Sequence, residues 1–266
     1  MMKFNFQIYQ ETWQKLTKSD RAMESIPLQV FETIPSTNTQ LWELIDRGEI
    51  NPLAAIALEQ TAGKGQWGRV WQSSLGGLYL SVGISPNLAL TNNAHLVMST
   101  AWGIATILRN YSLPVSLKWL NDLILDGRKL GGIKIETRTR QQQITDAVIG
   151  VGINWTNPVP PVGINLQSYY QKSTAIARIS SLEALTAIAI YGILFGYQYY
   201  LKVGINNFLN SYLEILTTLG KKIAFNGCPG EVIGVTNKGE LKVKLKSPGA
   251  TTEVCFSPGQ ISLGYD

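Results

Sequence analysis

Alternating apolar and polar positions predict a strand over "LQVFETI" (28–34). "STNTQLWELIDRG" (36–48) reads as a helix: Thr37 and Gln40 fit a capping box, Leu41, Leu44 and Ile45 form an apolar stripe, and Gly48 is a stop. "LAAIALEQ" (53–60) is a continuous apolar run of buried-strand type, and "LYLSVGI" (78–84) alternates. "AHLVMSTAWGIATILRNY" (94–111) is a long apolar helix. "VSLKWLNDLIL" (115–125) and "RKLGGIKIE" (128–136) flank Asp126-Gly127, a type I′ hairpin signal, and "ITDAVIGVGINW" (144–155) is a further strand. Ser180 and Glu183 start a helix running to about Lys202, and a second helix follows to about Leu219. Residues 1–27 show little pattern, and 156–174, with three prolines near its start, reads as a long irregular loop expected to order over a ligand.

From Gly220 the texture changes. Short β-rich runs ("KKIAF", "GEVIGVT", "ELKVKLK", "TTEVCF", "GQISL") alternate with Gly, Pro and Asn turns. The pattern predicts an α/β domain, a mixed sheet flanked by helices, over 1–219 and a small β-barrel over 220–266. Lys242, Lys244 and Lys246 alternate along one strand and read as a solvated face.

Composition narrows the chemistry. Of 266 residues, 45% are hydrophobic and 15% charged, which fits a globular fold. The net charge of +5 is spread along the chain, favouring small anions or an acidic partner over nucleic acid. Cys228 and Cys255 have no companion His to complete a zinc shell, so no dedicated protein metal site is expected. The sole histidine, His95, falls inside a helix, which argues against histidine-based catalysis. Without a secretory segment or a long uninterrupted apolar run, the expected location is the reducing cytoplasm.

The stretch "GKGQWGRVW" (63–71) spells G-x-G-x-x-G at Gly63, Gly65 and Gly68. A dinucleotide fold would need a helix opening there and an acid about 20 residues on. The sequence after Gly68 is poor helix material, and no Asp or Glu occurs between Glu59 and Asp122. The stretch instead offers glycines that let a ligand approach backbone N–H groups, two cations (Lys64, Arg69) and two indoles (Trp67, Trp71).

Together, "PSTN" (35–38), "EQTAGKGQWGRVW" (59–71), "KWLNDLILDGRKLGGI" (118–133) and "GVGIN" (150–154) resemble, in order and spacing, the four signature segments of biotin protein ligases. The resemblance covers about residues 28–266. It implies a class II synthetase-like catalytic fold with an SH3-like C-terminal barrel. The implied reaction joins biotin to ATP, giving biotinyl-5′-AMP, and passes the biotinyl group to a lysine of the biotin carboxyl carrier protein of acetyl-CoA carboxylase. Mg²⁺ would accompany ATP, with no permanently bound cofactor, and neither DNA nor membrane would be a partner. The residues before Leu28 are too few for the winged-helix module of repressor-type relatives, so a monofunctional ligase is expected.

The resemblance also implies roles. Ser36, Thr37, Asn38 and Gln60 would meet biotin's ureido ring, the first two being equally readable as helix-cap residues. Gly63, Lys64, Gly65 and Gln66 would form the biotin loop. Lys129 would reach the carboxylate, with Gly131 and Gly132 keeping the pocket floor open. Arg69, Trp71, Lys118, Asn121, Gly152 and Asn154 would serve ATP and the adenylate, Trp71 also walling the biotin site. Lys129, Arg69 and Lys64 would supply catalytic charge. Asp122 is readable as the base that deprotonates the incoming amine, as a Mg²⁺ neighbour, or as a turn former.

Two departures stand out. Gln66 replaces an arginine common in the family's glycine loop, so weaker retention of the adenylate is expected. Leu120 replaces the proline of "KWPND", leaving the turn less preset. Two other functions share the architecture or pocket: a lipoate ligase or octanoyl transferase, which needs an apolar tunnel, and a non-catalytic biotin sensor, which needs no phosphate-binding cations.

Overall fold

The computed structural model describes residues 4–18, 23–173, 179–247 and 249–264. In chain order the elements are α1 (Phe6–Thr17), β1 (Leu28–Ile34), α2 (Thr37–Asp46), β2 (Leu53–Gln60), β3 (Gly77–Ile84), β4 (Leu88–Ala89), α3 (Asn93–Asn110), β5 (Ser116–Lys118), β6 (Asp122–Leu125), β7 (Arg128–Arg140), β8 (Gln143–Asn154), α4 (Leu166–Lys172), α5 (Leu182–Glu214), β9 (Lys222–Phe225), β10 (Cys228–Val235), β11 (Leu241–Ser247) and β12 (Ala250–Phe256).

A mixed eight-stranded sheet runs β1-β2-β3-β8-β7-β6-β5, with β4 added beside β8. Only β1 and β2 are parallel; the other pairs are antiparallel. Both faces of the centre are covered, which explains the continuous apolar run of β2. Ala54 and Ile56 face the large core shared with α1, α3 and α5, while Leu53 and Ala55 face a small core with Leu41 and Leu44 of α2. β3, read as alternating, is buried on both faces for the same reason.

α2 is locked to β7 from outside. Arg138 binds Asp46 through both guanidinium nitrogens and lies 4.3 Å from the Trp42 ring centroid, and Trp42 Nε1 donates to Glu136 at 3.0 Å. The guanidinium holds the Asp46 carboxyl below the usual carboxylate range.

Several sequence expectations need correction. The N-terminal segment is not featureless: Asn5 caps α1, which buries Tyr9 and Trp13, the latter edge-on to Tyr191 of α5. The helix cap at residue 180 lies one residue on, where Ser181 accepts from Ala184 N, while Glu183 accepts from Asn5 N. The two expected C-terminal helices are the halves of α5, broken at Gly204, whose φ is +73°. The segment after Asn154 is also partly ordered, since Asn165 caps α4; residue 174 lies outside the described residues. α5 is long and apolar enough to cross a membrane by composition, but it packs inside the protein core.

β9–β12 form a four-stranded antiparallel sheet in the order β12-β11-β10-β9, consistent with an SH3-like unit. "GQISL" adds no fifth strand. Phe225 and Phe256 bring the outer strands together, ring centroids 4.6 Å apart. Val232, Val235, Leu241, Val243 and Phe256 belong to the same apolar cluster as α3 and α5, so the two sheets share a core.

Candidate active site

The functional cleft lies on the α2 face of the large sheet. α2 covers one half of that face, and three glycines leave the other half bare. Gly132 pairs with Gly152, and Gly150 with Lys134. A β-carbon at Gly152 would sit 2.4 Å from the Trp71 indole, and one at Gly150 would sit 2.3 Å from Asn38 Oδ1. The missing side chains are therefore what let Trp71 and Asn38 lie against the strands. The resulting cavity of about 590 Å³ has the size of a small-molecule site.

All four sequence segments converge here. Ser36, Thr37, Asn38, Gln60, Lys64, Gly65, Gln66, Arg69, Trp71, Lys118, Asn121, Asp122, Lys129, Gly132, Gly152 and Asn154 line the cleft. Gly131 does not: its missing side chain would point at Gly152 O, Ile153 and Leu123, on the core side of β7. The alternation of a strand puts neighbouring residues on opposite faces, so only Gly132 can be floor. Gly63 also lies outside the lining; a β-carbon there would strike Trp71 O and Ser73 Oγ, so this glycine lets the loop close on itself.

At one end the polar groups belong to α2 and β3. The expected capping box is not made, because Gln60 takes Thr37. Gln60 Oε1 accepts from Thr37 N at 2.8 Å and from Thr37 Oγ1 at 3.2 Å, and Gln60 Nε2 donates to Ser73 Oγ at 2.8 Å. Gln60 is thus a brace between β2, the start of α2 and Ser73. Ser81, fully buried on β3, donates to Asn38 Oδ1 or Thr37 Oγ1, at 2.6 and 2.8 Å. One buried polar group remains unsatisfied there among the described residues, Asn38 Nδ2, and Ser36 caps α2 without a side-chain cap bond. Buried donors in that state bind a ligand acceptor at little further desolvation cost.

The lining also carries Lys64, Arg69, Lys118, Lys129 and Lys134 and one acid, Asp122. Lys129 Nζ lies 2.6 Å from Asp122 Oδ1, held over Gly132, and 5.4 Å from the Trp71 ring centroid. Lys64 Nζ donates to Thr39 Oγ1 at 2.8 Å, and Lys134 pairs with Glu136 at 3.4 Å. Trp71 Nε1 is buried without a partner. The glycine loop makes a 3-10 turn at Gln66–Gly68 with no helix behind it, as expected for a non-dinucleotide site. Gln66 Nε2 donates across the cleft to Ile133 O at 3.2 Å, the carbonyl that Asn121 Nδ2 reaches at 2.6 Å.

Several lining elements were not legible in the sequence. The proline-rich strap reaches β7, where Lys129 N donates to Val162 O and Ile164 N to Lys129 O, both at 2.9 Å. Asn154 is committed to that strap, donating to Ile164 O and Lys129 O and accepting from Asn157. The tail Pro258–Leu263 closes the rim, with Gly259 against Trp67. Neither cysteine lines the cleft, and His95 is buried away from it, its Nδ1 2.9 Å from Tyr200 Oη and its Nε2 2.5 Å from Asn237 O.

Comparison with known proteins agrees with this geometry. Residues 30–154 match the biotin/lipoate A/B protein ligase family. The bifunctional ligase/repressor BirA of Escherichia coli is 40% identical over 130 residues, 47% of this chain and 39% of that protein. Its counterpart in Bacillus spizizenii is 30% identical over 125 residues, 46% of this chain and 38% of that protein. The chain thus spans about two fifths of the length of these relatives. The biotin protein ligase from Aquifex aeolicus in complex with biotin and ATP superposes with a TM-score of 0.68 at 22% identity, covering 90% of this chain and 99% of that one. The likeness to that family thus spans residues 30–154, and the fold as a whole is that of the Aquifex aeolicus protein.

Proposed function

We propose that the protein is an ATP-dependent biotin–protein ligase. Biotin's carboxylate attacks the α-phosphorus of ATP, forming biotinyl-5′-AMP and releasing pyrophosphate. A lysine amine of the carrier domain of acetyl-CoA carboxylase then attacks the acyl carbon, forming the amide and releasing AMP. Neither step needs a protein nucleophile. Both need two anions held together, and charge developing on phosphorus held by fixed donors.

The observation that carries this reading is the polarity of the cleft. The unpartnered Asn38 amide on α2 suits a compact polar ring, and the cations of the lining, with Lys129 beside Asp122 and Trp71, suit a carboxylate and phosphates. Ser36, Thr37 and Asn38 would meet the ureido group, with Gln60 holding them in place. Lys129 and Lys64 would meet the carboxylate, and Arg69 and Lys118 the phosphates. Trp71 would wall the site, and Asp122 would take the proton from the amine. Asn154 and Asn121, both engaged with backbone carbonyls, would shape the adenylate site rather than read it. Mg²⁺ would arrive on the triphosphate, a substrate ion. We read residues 1–219 as the catalytic unit and 220–266 as a supporting one that completes the rim, working in the cytoplasm.

A lipoyl or octanoyl chain would leave the Asn38 amide buried against methylenes, which disfavours that reading. Incubation with a carrier domain, ATP and either labelled biotin or labelled lipoate separates the two. Biotin-dependent label on the carrier is the expected result, and lipoate-dependent label alone would overturn the reading.

A further inference from the structure

The turn that delivers Asp122 to the cleft is tied at every residue, although it contains no proline. Trp119 N donates to Thr218 Oγ1 at 2.9 Å, and Trp119 Nε1 to Gly239 O at 3.0 Å. Leu120 O accepts from Tyr212 Oη at 2.9 Å. Asn121 exchanges bonds with the backbone of Ile133, its side chain reaching Ile133 O and its carbonyl accepting from Ile133 N at 3.1 Å. Two of these anchors, Tyr212 and Thr218, lie at and just beyond the end of α5, far along the chain from the four segments that line the cleft.

Tyr212 is fully buried, and its ring packs beside Phe208 with centroids 6.2 Å apart. Its hydroxyl is the group that satisfies the Leu120 carbonyl, two residues before Asp122. Burial, with the negative charge of Asp122 nearby, holds the phenol in its neutral, donating form. A neutral donor fixed beneath the turn sets where the backbone of residues 119–121 lies, and β6 starts at the next residue.

We infer that Tyr212 is a positioning residue for transfer to the amine, acting through the Leu120 carbonyl to aim the Asp122 carboxylate. This rests on the ligase reading above and extends it to one half-reaction. The backbone of Lys129 is held separately, by pairing with Ile124 of β6 and with Val162 and Ile164 of the strap, although its ammonium meets the Asp122 carboxylate. Loss of the Tyr212 hydroxyl should therefore impair transfer, which uses the carboxylate directly, more than adenylate formation, which feels it only through the Lys129 ammonium. An error of about 1 Å in a catalytic group is enough to slow a step on the order of 10²-fold.

The test uses the full chain as wild type, Tyr212→Phe, Thr218→Val and Tyr9→Phe, the last removing a buried phenol remote from the cleft. Adenylate formation is followed by biotin-dependent pyrophosphate exchange. Transfer is followed by single turnover of preformed biotinyl-5′-AMP onto a carrier domain. The expected result is transfer slowed roughly 10- to 100-fold in Tyr212→Phe and similarly in Thr218→Val, with pyrophosphate exchange lowered several-fold less than transfer in both. The KM for the carrier should stay unchanged. Tyr9→Phe should behave as wild type in both steps. Transfer by Tyr212→Phe at the wild-type rate would overturn the inference, as would an equal fall in both steps, which marks a general structural defect. If Tyr212→Phe does not fold, Thr218→Val decides by the same two rates. Wild type that exchanges no pyrophosphate would overturn the ligase reading itself.

Discussion

Asp122 Oδ1 and Lys129 Nζ lie 2.6 Å apart on neighbouring strands, above the bare surface of Gly132. The pair keeps each charge partnered until an anion enters. On the ligase reading, a substrate carboxylate or phosphate would draw the ammonium away and leave the carboxylate facing the acyl group. Lys129→Ala should lower adenylate formation by about 10²–10³, the scale for one fixed charge donor at a reacting phosphate. Pyrophosphate exchange is the measurement, and an unchanged rate removes Lys129 from the chemistry.

Gly152 is required by shape. Its backbone conformation is ordinary, yet a methyl group would overlap the Trp71 indole. Gly152→Ala should displace Trp71 and cost on the order of 1–3 kcal/mol in overpacking. The expected result is a shifted tryptophan emission and a raised KM for ATP. Gly234→Ala, at a β10 glycine with open space around it, should change neither.

Gln66 bridges the cleft as a neutral side chain, donating to Ile133 O. Its single bond to Ile133 O holds the glycine loop against β7 with no charge contact to an adenylate. The protein should therefore release measurable biotinyl-5′-AMP when no carrier is present, and Gln66→Ala should release it faster. A chase with unlabelled biotin reads the rate, and complete retention over many turnovers in wild type would contradict this.

His95 links α3 to Tyr200 of α5 and to the β10–β11 turn. Burial lowers its pKa below the ordinary 6.5. As pH falls through 6.5 the unfolded chain takes up a proton that the folded chain refuses, so stability should decline on acidification until the lower folded pKa is passed. It is the only histidine, so a plot of thermal midpoint against pH between 7.5 and 5.5 isolates it. His95→Gln should flatten that slope; a slope unchanged in the variant would assign it to other groups.

The sequence revealed the strands, the long helices and the four cleft segments, because each has a local cause. Asp126 and Gly127 take φ of +51° and +69°, as a type I′ turn requires. What escaped it depends on distant partners. α1 carries only two buried side chains, Tyr9 and Trp13, in a polar sequence, and its reason to exist is the surface of α5. Gln141 and Gln142 turn the β7–β8 hairpin at φ of +51° and +61° with no glycine to announce it. The capping box at Thr37 gave way to Gln60, 23 residues on. The strap pairs with the backbone of Lys129 and the tail lies against the Trp67 indole, contacts that no local pattern records.

The central claim is that the cations and glycines of residues 60–71 and 118–133 bring biotin and ATP together in one cleft. A crystal structure of the protein soaked with biotin and a non-hydrolysable ATP analogue tests it most directly. The account predicts the biotin ring beside Ser36 and Asn38, with its carboxylate and the α-phosphate between Lys129 and Arg69. Either molecule bound elsewhere on the protein would contradict it.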